Sequence, residues 1–151
     1  MNYYTVPHCH GDKAIPVEVK AEIAAVISSI SVKPRAGAAS KVRDAFLSSL
    51  KAHGWSGEFQ VSVASDMTIT SLKGQVGLCL QTGNMARMYA DLIKLQTLYL
   101  DGAITSAIFV VPSRPMAVKL GSNVAEANRL ERELKIFTKA YHVPTLVYAL
   151  E

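Results

Sequence analysis

The sequence predicts an α/β fold in which helices flank a mixed central sheet. Two patterns lead to this prediction. Apolar residues recur at helical spacing in four segments, whereas short alternating or wholly apolar runs bounded by glycine and proline indicate strands. With 151 residues, half of them hydrophobic, the chain is long enough to bury one core, so residues 1–151 are predicted to form a single domain.

The first half of the chain is predicted to contain two helices followed by three strands. The first helix covers residues 16–30, and the second runs from an N-cap at Ser40 to Gly54, after which Trp55 packs back on the helices. The strands are predicted at 59–63, 67–72 and 76–81 and form a meander, with a hairpin turn at Lys73-Gly74.

The second half is predicted to alternate helices and strands. A helix is expected over 85–100, capped by Asn84 and closed by Asp101-Gly102. The nearly all-apolar run 107–111 indicates a strand that is buried on both faces and pairs in parallel. After it we expect a loop over 112–122, a helix near 123–141 and a final strand over 143–150.

Composition excludes some classes of protein and permits others. No run approaches eighteen consecutive apolar residues, and the N-terminus lacks a basic start followed by an apolar stretch, so neither a membrane span nor a signal peptide is expected. Two cysteines do not make a disulfide framework, which favours a cytoplasmic protein. The formal charge of +4 permits an acidic partner such as nucleic acid without requiring one.

The segment 70–112 carries a pattern of strand, turn, strand, helix, strand. It includes Cys79-Leu80-Gln81-Thr82-Gly83-Asn84 in the second strand and bend, Tyr89-Ala90-Asp91 in the helix, and Val110-Val111-Pro112 at the end of the next strand. In this frame the chain resembles type II restriction endonucleases of the BglII and BstYI kind, within the PD-(D/E)XK superfamily. The resemblance covers roughly residues 40–115. It implies a restriction-endonuclease-like core and, as in that lineage, double-stranded DNA as partner and a homodimer.

The chain departs from this family where the family holds its metal. The family carries an acid on the strand before the hairpin and, nine positions later, a Glu-x-Gln or Glu-x-Glu; the aligned residues here are Thr70 and Cys79, and only Gln81 matches. Mg²⁺ requires hard oxygen ligands, whereas a hydroxyl is a weak neutral ligand and a thiolate is too soft. The resemblance therefore implies a nuclease scaffold with an impaired catalytic site and no cofactor.

The sequence therefore favours a scaffold without activity that binds double-stranded DNA or a protein partner, and two alternatives remain open. In the first, the protein is an active Mg²⁺-dependent endonuclease whose acids have moved, with Asp66, Glu58 and Gln81 as the catalytic candidates. An antiparallel pairing of the first two strands would place Asp66 and Glu58 at opposite ends, which disfavours a shared metal. In the second, the chain is a regulator or immunity-type module that binds another protein.

Basic residues are candidates for DNA contacts because phosphate binding relies on lysine and arginine. Lys33, Arg35 and Lys41 could bind phosphates and Arg114 could reach a base edge, although the same charges could simply maintain solubility.

For two further groups of residues, a structural role is favoured over metal binding or catalysis. The sequence His8-Cys9-His10 resembles a zinc ligand set but lacks further ligands nearby in the sequence. Cys79 could be a nucleophile served by His53 or His142, but its position in the middle of an apolar strand favours an inert, buried thiol.

Overall fold

A computed structural model describes the whole chain, residues 1–151. The strands are β1 (Tyr3–His8), β2 (Phe59–Gln60), β3 (Thr68–Ile69), β4 (Ser71–Lys73), β5 (Val76–Leu80), β6 (Ser106–Pro112) and β7 (Thr145–Leu150). The helices are α1 (Gly11–Ala14), α2 (Val17–Ser28), α3 (Ala39–Ala52), α4 (Met85–Leu100), α5 (Arg114–Leu120) and α6 (Ala127–Ile136), the last followed by a 3-10 turn over Phe137–Lys139. None of these helices has the length and apolar character needed to cross a membrane.

A five-stranded mixed sheet in the order β1-β7-β6-β5-β4 forms the centre of the fold. The three inner strands β5, β6 and β7 run parallel, while β1 and β4 pair antiparallel at the two edges. Every residue of β6 is buried, so the predicted parallel pairing and burial of this run are confirmed.

Two apolar cores lie on the two faces of this sheet. On one face, α2, α3 and α5 cover the strands, and Phe46 and Ile108 are among the residues buried there. On the other face, α4 and α6 pack through residues such as Leu95 and Leu130 against Phe109. The predicted α/β fold with a mixed sheet between helices is therefore confirmed.

The structure corrects the predicted order of elements at both ends of the chain. The N-terminal segment forms β1, an edge strand whose Pro7 is tolerated because an edge need not donate on both sides. The expected loop 112–122 contains α5, which Ser113 caps by accepting a hydrogen bond from the Met116 amide. The preference of proline for a first turn, here Pro115, was the overlooked signal for this helix.

The predicted three-stranded meander is confirmed in its two antiparallel pairings, β2 with β3 and β4 with β5, but its strands do not form one continuous sheet. Strand β2 pairs only with β3 in a separate two-stranded sheet, and the expected strand 67–72 is divided at Thr70 into β3 and β4. Val63, which the alternating pattern placed in a strand, is almost fully exposed in the β2–β3 connection. Periodicity alone did not reveal that so few backbone hydrogen bonds support these short runs.

Helix ends were predicted with mixed success. For α4 the prediction is confirmed, because the Asn84 side chain accepts a hydrogen bond from the Ala86 amide at 2.8 Å and the helix ends at Leu100. For α3 it is wrong in detail, because Ala38 is the N-cap and Ser40 lies inside the helix. The last helix is shorter than expected and begins after Glu126, whose carboxylate accepts bonds from two backbone amides.

An ion pair ties α2 to the edge of the main sheet. The Lys73 ammonium lies 2.7 Å from the Glu22 carboxylate, which also accepts a bond from the Trp55 indole at 3.1 Å. Trp55 is buried, as predicted, against the core under α2 and α3.

Replacing Glu22 with glutamine is expected to lower the free energy of unfolding by about 1 kcal/mol at pH 7. The hydrogen bonds from Lys73 and Trp55 hold the pKa of Glu22 below its ordinary value, so its contribution is present above the unfolded-state pKa and is lost as pH falls through the folded-state pKa. Urea unfolding of both proteins at pH 7 and at pH 3 would check this. A difference that stays the same at both pH values would contradict it.

Candidate functional site

A polar cavity of about 430 Å³ opens where β5 ends and the chain bends into α4. This location follows from the sheet topology, because polar groups collect beyond the carboxyl ends of inner parallel strands. Its walls come from α3, the β2–β3 sheet, the residues after β5 and α4. We call it the polar pocket; its polar or charged side chains are those of Arg43, Glu58, Thr68, Thr70, Gln81, Thr82, Arg87, Asp91 and Lys94.

One face of α4 supplies four residues of the polar pocket. Arg87, Ala90, Asp91 and Lys94 stand at positions i, i+3, i+4 and i+7, which places them along one stripe of the helix. The residues at Met88, Leu92 and Leu95 form the adjoining apolar stripe and are buried in the core. Packing of that stripe fixes the rotation of α4 and so presents the charged stripe to the pocket.

Asp91 is the buried carboxylate of the pocket, and both of its oxygens are occupied. Oδ2 accepts a hydrogen bond from Gln81 Nε2 at 2.9 Å, and Oδ1 lies 3.0 Å from Lys94 Nζ. The side chains of Asp91 and Lys94 are 12% and 22% exposed. A buried carboxylate needs such partners to offset the loss of water.

Gln81, the residue that matches the family pattern, is held rigidly by its neighbours. Its Oε1 accepts a hydrogen bond from the Gly83 amide at 3.0 Å while its Nε2 donates to Asp91. Its backbone amide continues the pairing with β6 by donating to Val110 at 2.9 Å. The Gln81 side chain therefore orients Asp91, since both its oxygen and its nitrogen are bonded within the protein.

Thr70 has a structural hydrogen bond in place of a ligand role. Its Oγ1 accepts a hydrogen bond from the Leu80 amide at 3.0 Å, at the point where the chain passes from β3 to β4. The hydroxyl thus satisfies a backbone donor that the interrupted pairing would otherwise leave without a partner.

Cys79 is a buried apolar residue, which confirms the prediction of an inert, buried thiol. It is 1% exposed and belongs to the core under α4 and α6. Burial, and secondarily the negative charge of Asp91, raise the pKa of the Cys79 thiol well above its ordinary value. A neutral buried thiol is poor both as a nucleophile and as a metal ligand.

Of the two acids predicted as relocated ligands, only one lines the polar pocket. Glu58, just before β2, reaches the cavity and lies 3.8 Å from the Arg43 guanidinium, with 64% of its side chain exposed. Asp66 is exposed in the β2–β3 connection and does not line the cavity. The antiparallel register, with Phe59 opposite Ile69, places the two acids at opposite ends as expected.

Sequence reasoning missed the cations of this site. Arg43 donates to the Leu80 carbonyl at 3.2 Å, and Arg87 lines the cavity without an ion-pair partner. Together with Lys94 they outnumber Glu58 and Asp91, so the pocket carries an excess of positive charge. The spacing of Arg87, Asp91 and Lys94 on a helix with a clear N-cap was the signal that could have found them.

The predicted DNA-binding residues lie outside the polar pocket. Lys33 and Arg35 are exposed in the segment between α2 and α3, and Lys41 is exposed on α3. Arg114 lines a second cavity of about 420 Å³, together with Arg129 and Arg132.

The residues present do not fit a divalent metal. Across the chain, no three His, Cys, Asp or Glu side chains come together in a way that could hold one. The Thr70 hydroxyl in the polar pocket already accepts a hydrogen bond, Cys79 is a buried neutral thiol outside the lining, and Asp91 is paired with Lys94. At the N-terminus, the exposed thiol of Cys9 lies 3.3 Å from His8 Nε2, which also contacts the Tyr141 carbonyl at 3.1 Å.

Solved structures with the same arrangement of strands and helices are restriction endonucleases. BglII in complex with a DNA 16-mer superposes with a TM-score of 0.87 at 11% identity, over 99% of this chain and 76% of that one. Free BglII gives a TM-score of 0.75 at 13% identity, over 100% of this chain and 80% of that one. The fold is thus of the restriction-endonuclease-like class.

The family can be stated more narrowly than the fold. A sequence model of the family described as restriction endonuclease BglII/BglIII matches residues 3–150, and the chain belongs to this family. No curated protein sequence gives a significant match. The predicted resemblance, which was specific only over residues 70–112, is confirmed for nearly the whole chain.

Proposed function

We propose that this protein of the BglII family binds double-stranded DNA through the polar pocket and does not cleave it by metal-dependent hydrolysis. The observation that carries the proposal is the pairing of Asp91 with Gln81 and Lys94, which occupies the only buried carboxylate in the pocket. Thr70 and Cys79 add no charge beside it. Glu58, the one other carboxylate of the pocket, faces Arg43 at 3.8 Å, so no pair of free carboxylates remains to hold the ion that would activate water.

The positive charge of the polar pocket supports DNA as its ligand. Phosphodiester groups are bound chiefly by arginine and lysine, and the pocket presents Arg43, Arg87 and Lys94. Outside the pocket, the exposed Lys33, Arg35 and Lys41 would extend the phosphate contacts, and Arg114 would approach a base edge. The structure of the relative BglII contains a bound DNA 16-mer, which supports the same class of ligand here.

A homodimer is part of the proposal, since a two-fold protein matches the symmetry of duplex DNA. An apolar groove of about 490 Å³ between α4 and the 3-10 turn after α6 supports it. Tyr89 and Phe137 line this groove, and Ile93 at its rim is 68% exposed. Burial of such a surface would favour association.

A second candidate function is the active Mg²⁺-dependent endonuclease with relocated acids. Its support is the presence of Glu58 and Asp91 in the same cavity as Gln81. Asp91 would have to give up its bond to Lys94 in order to coordinate a metal, and Glu58 its contact with Arg43. This candidate requires cleavage that depends on metal and is lost in Asp91→Ala.

Retardation of duplex DNA in the presence of a chelator, with no cleavage in Mg²⁺ or Mn²⁺, is the expected result. The experiment incubates the purified protein with mixed-sequence duplexes under each condition and scores mobility and strand breaks on gels. Metal-dependent breaks would refute the proposal in favour of the second candidate. Failure to retard any duplex would refute it in favour of a protein partner.

The Arg87→Gln variant links this binding to the polar pocket. It should weaken retardation about tenfold and reduce the dependence of log affinity on log salt by about one. The matched control is Lys13→Gln, which removes an exposed charge from α1, outside both the pocket and the apolar groove. Equal losses in both variants would mean that binding is spread over the surface.

A further inference from the structure

We infer that Lys94 is the built-in cation of the polar pocket and that its ammonium group both excludes a divalent metal from Asp91 and binds a phosphate group directly. The inference deepens the proposed function and rests on it for the source of the phosphate. It assigns a role to a residue of α4 that lies outside the strand positions where the family holds its acids.

The contact between Lys94 and Asp91 places a cation on the carboxylate that a metal would use. Lys94 Nζ lies 3.0 Å from Oδ1, while Gln81 Nε2 occupies Oδ2 at 2.9 Å. Mg²⁺ would need a carboxylate oxygen at about 2.1 Å, and its charge would repel the ammonium at that distance. Ligation of Asp91 therefore requires that Lys94 first be displaced.

Lys94 retains donors for a ligand. An ammonium group has three N–H donors, and Asp91 is its one hydrogen-bond acceptor in the structure. Its side chain is 22% exposed and lines the open cavity, so a ligand in the cavity can replace water on the remaining donors. The pairing with Asp91 holds the ammonium in place before the ligand arrives.

The neighbouring groups select an oxyanion as the ligand. Arg87 has no ion-pair partner, and Arg43 pairs only with the exposed Glu58 while it also donates to the Leu80 carbonyl. Two guanidinium groups therefore line the same cavity as Lys94. Planar guanidinium groups match the oxygen geometry of phosphate. The ligand chemistry is that of a phosphate group, from either a DNA backbone or free phosphate.

The test compares Lys94→Met with wild type for binding of Mn²⁺ and of inorganic phosphate. Methionine keeps the length and apolar stem of the side chain and removes the charge. We expect phosphate affinity, measured by calorimetry with chelator present, to fall at least tenfold. We also expect Mn²⁺, followed by electron paramagnetic resonance, to bind the variant at least tenfold more tightly than wild type, because Asp91 becomes available.

Two further variants serve as controls. Lys135→Met removes a lysine paired with Glu131 on α6, 2.9 Å away, and should change neither readout. Lys94→Arg keeps the charge and should retain phosphate binding and the exclusion of Mn²⁺, which tests the role even if the methionine variant fails to fold.

The result that would overturn the inference is unchanged phosphate and Mn²⁺ binding in Lys94→Met, or phosphate binding lost equally in Lys94→Arg. Retardation of duplex DNA is scored separately. Phosphate binding that depends on Lys94 without retardation would identify free phosphate as the source and refute only the DNA proposal. Retardation with both ion readouts unchanged would refute only the role of Lys94.

Discussion

Replacing Gly11 with alanine is expected to lower the free energy of unfolding by about 3 kcal/mol, which is a large part of the stability of a domain this size. Gly11 begins α1, where this short helix packs against β7. A Cβ atom at this position would lie 2.1 Å from the carbonyl oxygen of Thr145 and 2.7 Å from the amide nitrogen of Leu146. Those atoms belong to the backbone of an inner strand.

Relief of this overlap would require α1 or β7 to move. Thr145 pairs with Ala107 on one side and with His8 on the other, so a shift of β7 would disturb two rows of hydrogen bonds. A shift of α1 would uncover buried residues such as Ile15. Neither movement is as easy as the rotation of a flexible side chain.

The matched control is Gly57→Ala. No heavy atom lies within 4 Å of a Cβ built there, so its effect should stay within about 0.5 kcal/mol. Urea unfolding followed by circular dichroism gives both values. Equal stability of the two variants would mean that α1 does not sit against β7 as described.

Gly11 also illustrates what local pattern cannot predict. Apolar spacing and the Asn84 cap predicted α4, and the unbroken apolar run predicted β6, because these elements are determined by their own residues. The close approach at Gly11 depends on a strand that lies more than 130 residues away in sequence. The two-residue strands β2 and β3 were misjudged for a related reason, since their extent is set by partners.

The candidate site likewise combines features that the local sequence predicts with features that depend on tertiary packing. The sequence directs attention to Thr70, Cys79 and Gln81, because they follow a fixed spacing around one hairpin. The occupation of Asp91 by Lys94 and Gln81 was not predicted, since it needs the rotation of α4 over the end of β5. The sequence indicates Asp91 only as part of Tyr89-Ala90-Asp91, whereas in the structure it is the buried carboxylate of the pocket.

Replacing Cys79 with aspartate is expected to cost about 3 kcal/mol of unfolding free energy at pH 8. The substitution places a carboxylate at the position that the sequence resemblance aligns with a family acid, with a side chain too short to leave the core. Burial and the nearby charge of Asp91, which already raise the pKa of the thiol, would raise the pKa of the new carboxyl as well.

The loss should grow with pH in a defined direction. An unfolded aspartate ionises near pH 3.9, whereas the folded carboxyl would keep its proton to higher pH. Between these two values the unfolded state binds fewer protons, so the free energy of unfolding falls as pH rises, by up to about 1.4 kcal/mol per unit. Below pH 4 this contribution disappears.

The matched control is Cys79→Asn, which has the same shape and polarity but cannot ionise. It should cost about 2 kcal/mol, with no added pH dependence from that side chain. The quantity to follow is the difference between the two variants, measured by urea unfolding from pH 4 to pH 8. The difference should increase from pH 4 until the pH passes the pKa of the folded carboxyl, and stay constant above it.

The effect of Mg²⁺ on the Cys79→Asp variant also distinguishes an inactive scaffold from an active nuclease. If the aspartate variant loses stability with rising pH and Mg²⁺ does not restore it, the structure requires a neutral residue at position 79. The Lys94–Asp91 pair then remains in place and no metal binds. If Mg²⁺ instead stabilises this variant over the asparagine control, the new carboxylate and Asp91 can share an ion. The site would then differ from a metal centre by little more than this one side chain, which would strengthen the case for an active nuclease with relocated acids.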